Sequence, residues 1–132
     1  MTGDFHGLAT CIISNSYLKL EFLAEAGPRI VRLMPAGSDE NLLAEIPDFT
    51  LPTPFGDFHL YGGHRLWHSP EVMPRTYVPD NSGLQVYDLP DGVRLCQPTE
   101  VATGLTKSIE LCLHADRPGV TVTHQIKNEG LW

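Results

Sequence analysis

The sequence lacks the long apolar runs of a membrane protein. No apolar stretch approaches the ~20 residues needed to cross a bilayer. Residues 1–10, MTGDFHGLAT, have neither the basic start nor the apolar core of a signal peptide. Basic residues are also few, because 9 Lys and Arg stand against 16 Asp and Glu, for a net charge of −7. That charge repels phosphate backbones and anionic lipids, so we expect neither a nucleic acid nor a membrane partner.

Cysteines are also few, and they show no pairing pattern. Cys11, Cys96 and Cys112 are odd in number, widely spaced and mostly set in apolar runs. This usage fits small buried side chains in a reducing compartment rather than a disulfide framework or a zinc site. We therefore expect a cytoplasmic protein without a cofactor.

Helical periodicity is missing as well, since it never persists for the ~10 residues that a helix needs. Prolines and glycines, 11 and 12 in number, interrupt the chain throughout. Apolar and polar residues alternate instead, as in residues 17–23, where Leu18, Leu20 and Phe22 share one face. The pattern predicts an opening β-meander over residues 9–14, 17–23 and 29–34.

The second half of the chain repeats this alternation. It predicts one hairpin from residues 84–89 and 93–97, and another from residues 105–114 and 120–127. We therefore expect one all-β domain over residues 1–132, an antiparallel β-sandwich. Residues 46–83 show little alternation, several prolines and many aromatic side chains, which predicts a long irregular segment that carries the function.

The segment YGGHRLWHSPE, residues 61–71, concentrates the chemistry. An extended chain would direct His64 and His68 to one side and Arg65 and Trp67 to the other. The arginine fork and the indole plate suit a polar ligand with one apolar face, such as a sugar ring. The two histidines would hydrogen-bond hydroxyl groups or move a proton near neutral pH.

Other interpretations of these residues stay open. One helical turn would place His64 and His68 on one face with Glu71 a turn further on, a spacing able to hold a metal, although Pro70 cuts such a turn short. Alternatively, Trp67 fills the core and backbone carbonyls satisfy each histidine.

Polar residues elsewhere fit structural roles better. His124 shares a predicted strand face with Val122 and Ile126, which favours a buried histidine over a site residue. Near the turns lie Arg29, Arg75, Tyr77 and Asp80, which we interpret as solvated or turn-capping groups.

Three segments together carry a family resemblance. Residues 13–43, ISNSYLKLEFLAEAGPRIVRLMPAGSDENLL, precede GGHRLWHSP, and residues 126–132, IKNEGLW, follow. In this order they resemble the galactose mutarotase-like superfamily, which includes aldose 1-epimerases and glucose-6-phosphate 1-epimerase-like proteins. The resemblance implies a sugar-binding β-sandwich that epimerises the anomeric carbon with a histidine acid and a carboxylate base. Carried over to this sequence, it implies that Arg65, Trp67 and His68 line the site, with His64 and Glu71 beside them. An epimerase would use His68 or His64 as the acid and Glu71, the only nearby carboxylate, as the base, while His64, Arg65 and Trp67 would bind the substrate.

The family members are longer than this chain, so the resemblance implies the N-terminal half of a longer fold. Half a sandwich leaves a sheet edge and an apolar face uncovered, and we therefore expect a homodimer. Two alternatives to an epimerase remain: a carbohydrate-binding module or inert relative without turnover, and a cupin-like domain that binds a metal or a small molecule.

Overall fold

The alternating segments form strands that pair in chain order. The computed structural model describes residues 1–130, and within them the chain forms eleven strands and one 3-10 turn, Arg75–Tyr77. The strands are β1 (Thr2–Phe5), β2 (Leu8–Ser14), β3 (Leu18–Leu23), β4 (Arg29–Pro35), β5 (Glu45–Thr53), β6 (Gly56–Gly62), β7 (His64–Arg65), β8 (Gln85–Leu89), β9 (Gly92–Cys96), β10 (Leu105–Leu113) and β11 (Val120–Asn128).

The predicted meander and both predicted hairpins are confirmed. A five-stranded antiparallel sheet has the order β1-β2-β3-β4-β7, and a four-stranded antiparallel sheet has the order β11-β10-β9-β8. The turn between β2 and β3 depends on Asn15, whose Oδ1 accepts the backbone N–H groups of Tyr17 and Leu18 at 2.9 Å each. Asparagine favours such turns because its side chain imitates a backbone carbonyl.

The two sheets pack face to face over one apolar core. Alternate side chains of β3 and β4 meet alternate side chains of β9 and β10, which is the arrangement expected of a sandwich. The buried members of this core are Leu20, Phe22, Ile30, Val93, Leu95, Ile109 and Leu111. The predicted all-β sandwich is therefore confirmed.

The prediction that residues 46–83 are irregular is wrong for their first part. β5 and β6 pair as a two-stranded antiparallel ribbon. Pro52 lies opposite Asp57, and Pro47 falls where the register shifts between Ile46 and Thr50. Because prolines are tolerated at strand edges and irregularities, they interrupt the alternation without abolishing the strand. β1 was also missed, since its four residues are too few to show a period.

The ribbon packs on the face of the five-stranded sheet that points away from the four-stranded one. A second apolar cluster forms there from Phe5, Leu23, Ala26, Val31 and Tyr61. Beside it, Arg32 donates to both Glu21 and Glu45, at 3.0 and 2.8 Å. The Arg32 hydrogen bond lowers the pKa of Glu45 to about 2. The five-stranded sheet is thus covered on both faces.

The structure also bears on the predictions about cysteine pairing and membrane association. Cys11, Cys96 and Cys112 are free thiols in partly buried positions. Within residues 1–130, no helix is long and apolar enough to span a membrane. The cytoplasmic location stays a prediction.

Candidate functional site

A buried arginine anchors the segment that carries the candidate site. Arg29 begins β4 and its side chain is completely buried. Its Nε and Nη2 donate to the two carboxylate oxygens of Asp80 at 2.9 and 3.0 Å. Nη1 and Nη2 also donate to the backbone carbonyls of Leu60 and His59. The prediction that Arg29 and Asp80 are solvated groups near turns is wrong, because the two side chains tie β4, β6 and the segment before β8 together.

Arg65 lies in a cage of aromatic rings. Its guanidinium carbon is 4.5 Å from the ring centre of Phe58, 4.7 Å from that of Trp67 and 5.4 Å from that of Tyr77. Its Nη2 donates to the Thr76 carbonyl at 3.1 Å. Among residues 1–130, no ion pair joins Arg65 to a carboxylate. The rings hold the cation in place but do not neutralise it.

Arg29 and Arg65 lie opposite each other, but their charges are compensated differently. Arg29 and Arg65 are directly opposite in the pairing of β4 with β7. Asp80 balances the charge of Arg29, whereas burial, followed by repulsion from Arg29, lowers the pKa of Arg65 to about 10. Arg65 therefore remains a cation at neutral pH, in surroundings that strengthen its attraction for an acceptor.

A cavity of about 420 Å³ opens beside this cage, within the range of small-molecule sites. Its walls combine the apolar side chains of Ala44, Ile46 and Leu60 with the polar or aromatic residues His64, Arg65, Trp67 and Tyr77. We call this cavity the aromatic pocket. It is open to solvent along the exposed indole of Trp67, which is 44% exposed.

The double glycine before His64 is required for the pocket to form. Both glycines have positive φ angles, 89° at Gly62 and 65° at Gly63. A Cβ on Gly62 would lie 2.1 Å from the Ala44 carbonyl oxygen, and one on Gly63 would lie 2.0 Å from that of Ile30. Only glycine therefore lets the chain pass this close to the backbone of Ala44 and of β4.

The structure brings together some of the predicted site residues and separates others. Arg65 and Trp67 lie together, as the alternation predicts. His64 and His68 do not form the predicted pair, because β7 ends at Arg65 and the alternation ends with it. The helical-turn alternative for these residues is wrong for the same reason. His64 lines the aromatic pocket, whereas His68 and Glu71 line a separate depression of about 280 Å³ that shares Trp67 with it.

His68 has no hydrogen-bond partner among the described residues. Both of its ring nitrogens are buried and make no hydrogen bond within the described residues. Burial, followed by repulsion from Lys107, lowers the pKa of His68. Lys107 is itself buried against Glu100, with Nζ and Oε2 3.4 Å apart. Glu71 in the same depression is exposed, and it accepts a hydrogen bond from the Tyr77 hydroxyl.

His124 reaches the site, although the sequence favours a buried position for it. That preference is wrong, because His124 is exposed and its Nε2 lies 2.7 Å from the Nε2 of His64. The alternation of β11 is correct, but β11 is an edge strand whose inner face extends beyond the core. Residues 1–130 contain no group of three or more His, Cys, Asp or Glu side chains that could hold a metal ion.

Comparisons with known proteins returned no similar protein. No family model matches the chain, and no curated protein or solved structure matches it.

Because Arg29 is buried and Arg94 is exposed, we expect substitutions of their carboxylate partners to differ greatly in their effect on the free energy of unfolding. Asp80→Asn leaves the buried guanidinium without its counter-charge, so the free energy of unfolding should fall by about 3–5 kcal/mol. Glu110→Gln removes the partner of Arg94 in a pair whose side chains are 46% and 32% exposed, and it should cost less than about 1 kcal/mol. Urea denaturation of both variants measures these changes. Equal losses would show that Arg29 is not an anchor.

Proposed function

We propose that the chain is a carbohydrate-binding protein related to the galactose mutarotase-like superfamily, with the aromatic pocket as its sugar site. The observation that carries this proposal is the stacking of Arg65 with Trp67 in the pocket wall, with no carboxylate partner for Arg65 among residues 1–130. A sugar offers an apolar ring face for the indole and oxygen acceptors for the guanidinium.

The hydrogen-bonding capacity of Arg65 supports this ligand class. An arginine has five N–H donors. The described residues use one of them, the donor to the Thr76 carbonyl, so four remain (five minus one). The three rings around Arg65 restrict its rotation, so little conformational entropy is lost when a ligand binds. The apolar wall formed by Ile46 and Leu60 would exclude water from the ring face.

Anomeric epimerisation is the activity that we propose for the adjoining depression, which shares Trp67 with the aromatic pocket. Its supporting observation is His68, whose pKa is lowered by burial and whose two ring nitrogens lack partners, in the depression that Glu71 also lines. A neutral imidazole accepts a proton and, once protonated, returns it, which serves both ring opening and ring closure. The sequence resemblance assigns the acid role to the histidine, which a neutral His68 takes on only after it has accepted a proton, and the base role to the carboxylate.

The alternative is a sugar-binding module without turnover. Glu71 is exposed and already accepts a hydrogen bond from Tyr77, which weakens it as a base. A bound sugar in the aromatic pocket would contact Arg65 and Trp67 without needing His68. Binding and turnover are therefore tested separately.

Sugar binding should change the fluorescence of Trp67. Trp132→Phe leaves Trp67 as the single tryptophan, because the sequence has two. In that background, titration with glucose, galactose and glucose 6-phosphate should give saturable changes, and Arg65→Lys should weaken affinity about tenfold or more, since lysine offers neither the planar fork nor ring stacking. Arg94→Lys, on the outer face of the four-stranded sheet, is the matched control and should leave affinity unchanged.

Two results of this titration would contradict the proposal. One is the absence of saturation with any of the three sugars. The other is an equal response to inorganic phosphate and to glucose 6-phosphate, which would show that Arg65 binds an anion without recognising a sugar.

Turnover is measured by polarimetry on freshly dissolved glucose or galactose. If the chain is an epimerase, it should accelerate mutarotation, and His68→Gln should slow the reaction about 100-fold or more because it removes proton transfer. His114→Gln, at the β10–β11 turn, is the control. Sugar binding without any acceleration would leave the binding module as the function.

We also propose that the chain forms a homodimer, as the sequence predicts. β11 is a nine-residue edge strand of the four-stranded sheet, and it exposes Ile126. Long edge strands pair readily with another chain. Sedimentation equilibrium should therefore give twice the 14.6 kDa of one chain at micromolar concentration. A monomer throughout the concentration series would exclude the dimer.

A further inference from the structure

Two histidines join the edges of the two sheets beside the aromatic pocket. His64 belongs to β7, at the edge of the five-stranded sheet, and His124 belongs to β11, at the edge of the four-stranded sheet. Their Nε2 atoms are 2.7 Å apart and their ring centres are 5.0 Å apart. That centre-to-centre distance is close to the largest that the Nε2 contact allows, so the rings meet head-on. This is the geometry of an N–H···N hydrogen bond.

The hydrogen bond sets the protonation of both rings. A neutral imidazole carries one N–H donor and one bare nitrogen acceptor. Of the two facing Nε2 atoms, one must carry the proton and the other must be bare, so the two rings hold opposite tautomers. Burial, followed by repulsion from His124, lowers the pKa of His64, which favours the neutral form of the His64 ring.

A metal ion does not explain the contact. Two Nε2 ligands of one tetrahedral zinc ion would be about 3.3 Å apart, because each Zn–N bond is about 2.0 Å. The observed 2.7 Å leaves room only for a proton.

The outer nitrogens of the pair face different surroundings. His64 lines the aromatic pocket, and its Nδ1 has no partner among the described residues. His124 is exposed to solvent. Arg65, next to His64 in the pocket wall, is a charged group beside the pair, whereas Arg94 and Glu110 lie on the opposite face of the four-stranded sheet from the His124 side chain.

We propose that His64 and His124 form a proton relay between the aromatic pocket and solvent, with His64 as the group that meets the ligand and His124 as its positioning partner. The proposal rests on the proposed sugar site, because a sugar hydroxyl supplies the proton. It adds His124 to the site and replaces the predicted pairing of His64 with His68.

The relay conserves protons at every stage. At the start, His64 carries its proton on Nε2 and His124 carries its proton on Nδ1. A ligand hydroxyl transfers a proton to Nδ1 of His64, the Nε2 proton crosses to Nε2 of His124, and Nδ1 of His124 releases its proton to water. Both rings end neutral with their tautomers exchanged, and the ligand oxygen has lost one proton. The reverse sequence returns it.

The relay is tested by NMR on the full chain labelled with ¹⁵N-histidine. A scalar coupling between the two Nε2 nuclei across the hydrogen bond should be present in the wild type and absent in His124→Gln. The His64 titration should also move to higher pH in His124→Gln, because repulsion from a second imidazole is lost. His114→Gln should preserve the coupling and the His64 titration, since its ring contacts Arg117 and Thr121 instead.

The outcomes separate this proposal from the sugar site. No coupling in the wild type, or a His64 titration that His124→Gln leaves unchanged, would overturn the relay whether or not sugars bind. A coupling together with no sugar binding would refute the proposed function and the ligand step of the relay, while the shared proton would stand. A coupling, a shifted titration and an exchange of tautomers when a sugar is added would support both.

Discussion

The pair formed by Arg29 and Asp80 is the contact on which the site depends. A completely buried guanidinium is costly unless its charge and its donors are satisfied. Here one carboxylate takes two donors, and two carbonyls of β6 take others. Because these partners come from segments far apart in the sequence, satisfying Arg29 also fixes the ribbon and the 63–83 segment against β4. The aromatic pocket lies between them.

Arg65, the half-buried second arginine, has a different charge environment from Arg29. Phe58 contacts both cations, since the guanidinium carbons of Arg29 and Arg65 are 5.1 and 4.5 Å from its ring centre. Asp80 neutralises the charge of Arg29, whereas three aromatic rings hold Arg65 in position without neutralising its charge. A half-buried cation with unused donors contributes little to packing, since packing alone would favour an uncharged side chain. This contrast is the physical reason why we propose the ligand site at Arg65.

The sequence predicts the local structure of this chain well and its long-range contacts poorly. The alternation of apolar and polar residues is sufficient to predict the meander and the hairpins of the four-stranded sheet. Within each strand, this local pattern indicates which side chains are buried. It also places Arg65 and Trp67 on one side, since those residues are neighbours. It does not predict the β5–β6 ribbon, where prolines interrupt the period at positions that an edge strand tolerates.

The contacts that the sequence misses join distant residues. Arg29 and Asp80 are 51 positions apart, and His64 and His124 are 60 apart. No local pattern distinguishes a charged residue that will find a distant partner from one that will be solvated. The crowding of His64, Arg65 and Trp67 after two glycines is the one local feature that indicates the site, and it identifies the segment but not the partners.

NMR mapping of a hexose phosphate titration measures whether the pocket is preformed around Arg65 and Trp67. Our expectation is that the Arg65 Nε–H and the Trp67 indole N–H shift together, with further changes restricted to residues 44–46 and 60–77. Shifts at Arg94 and Glu110 on the outer face, with Arg65 and Trp67 unchanged, would contradict it.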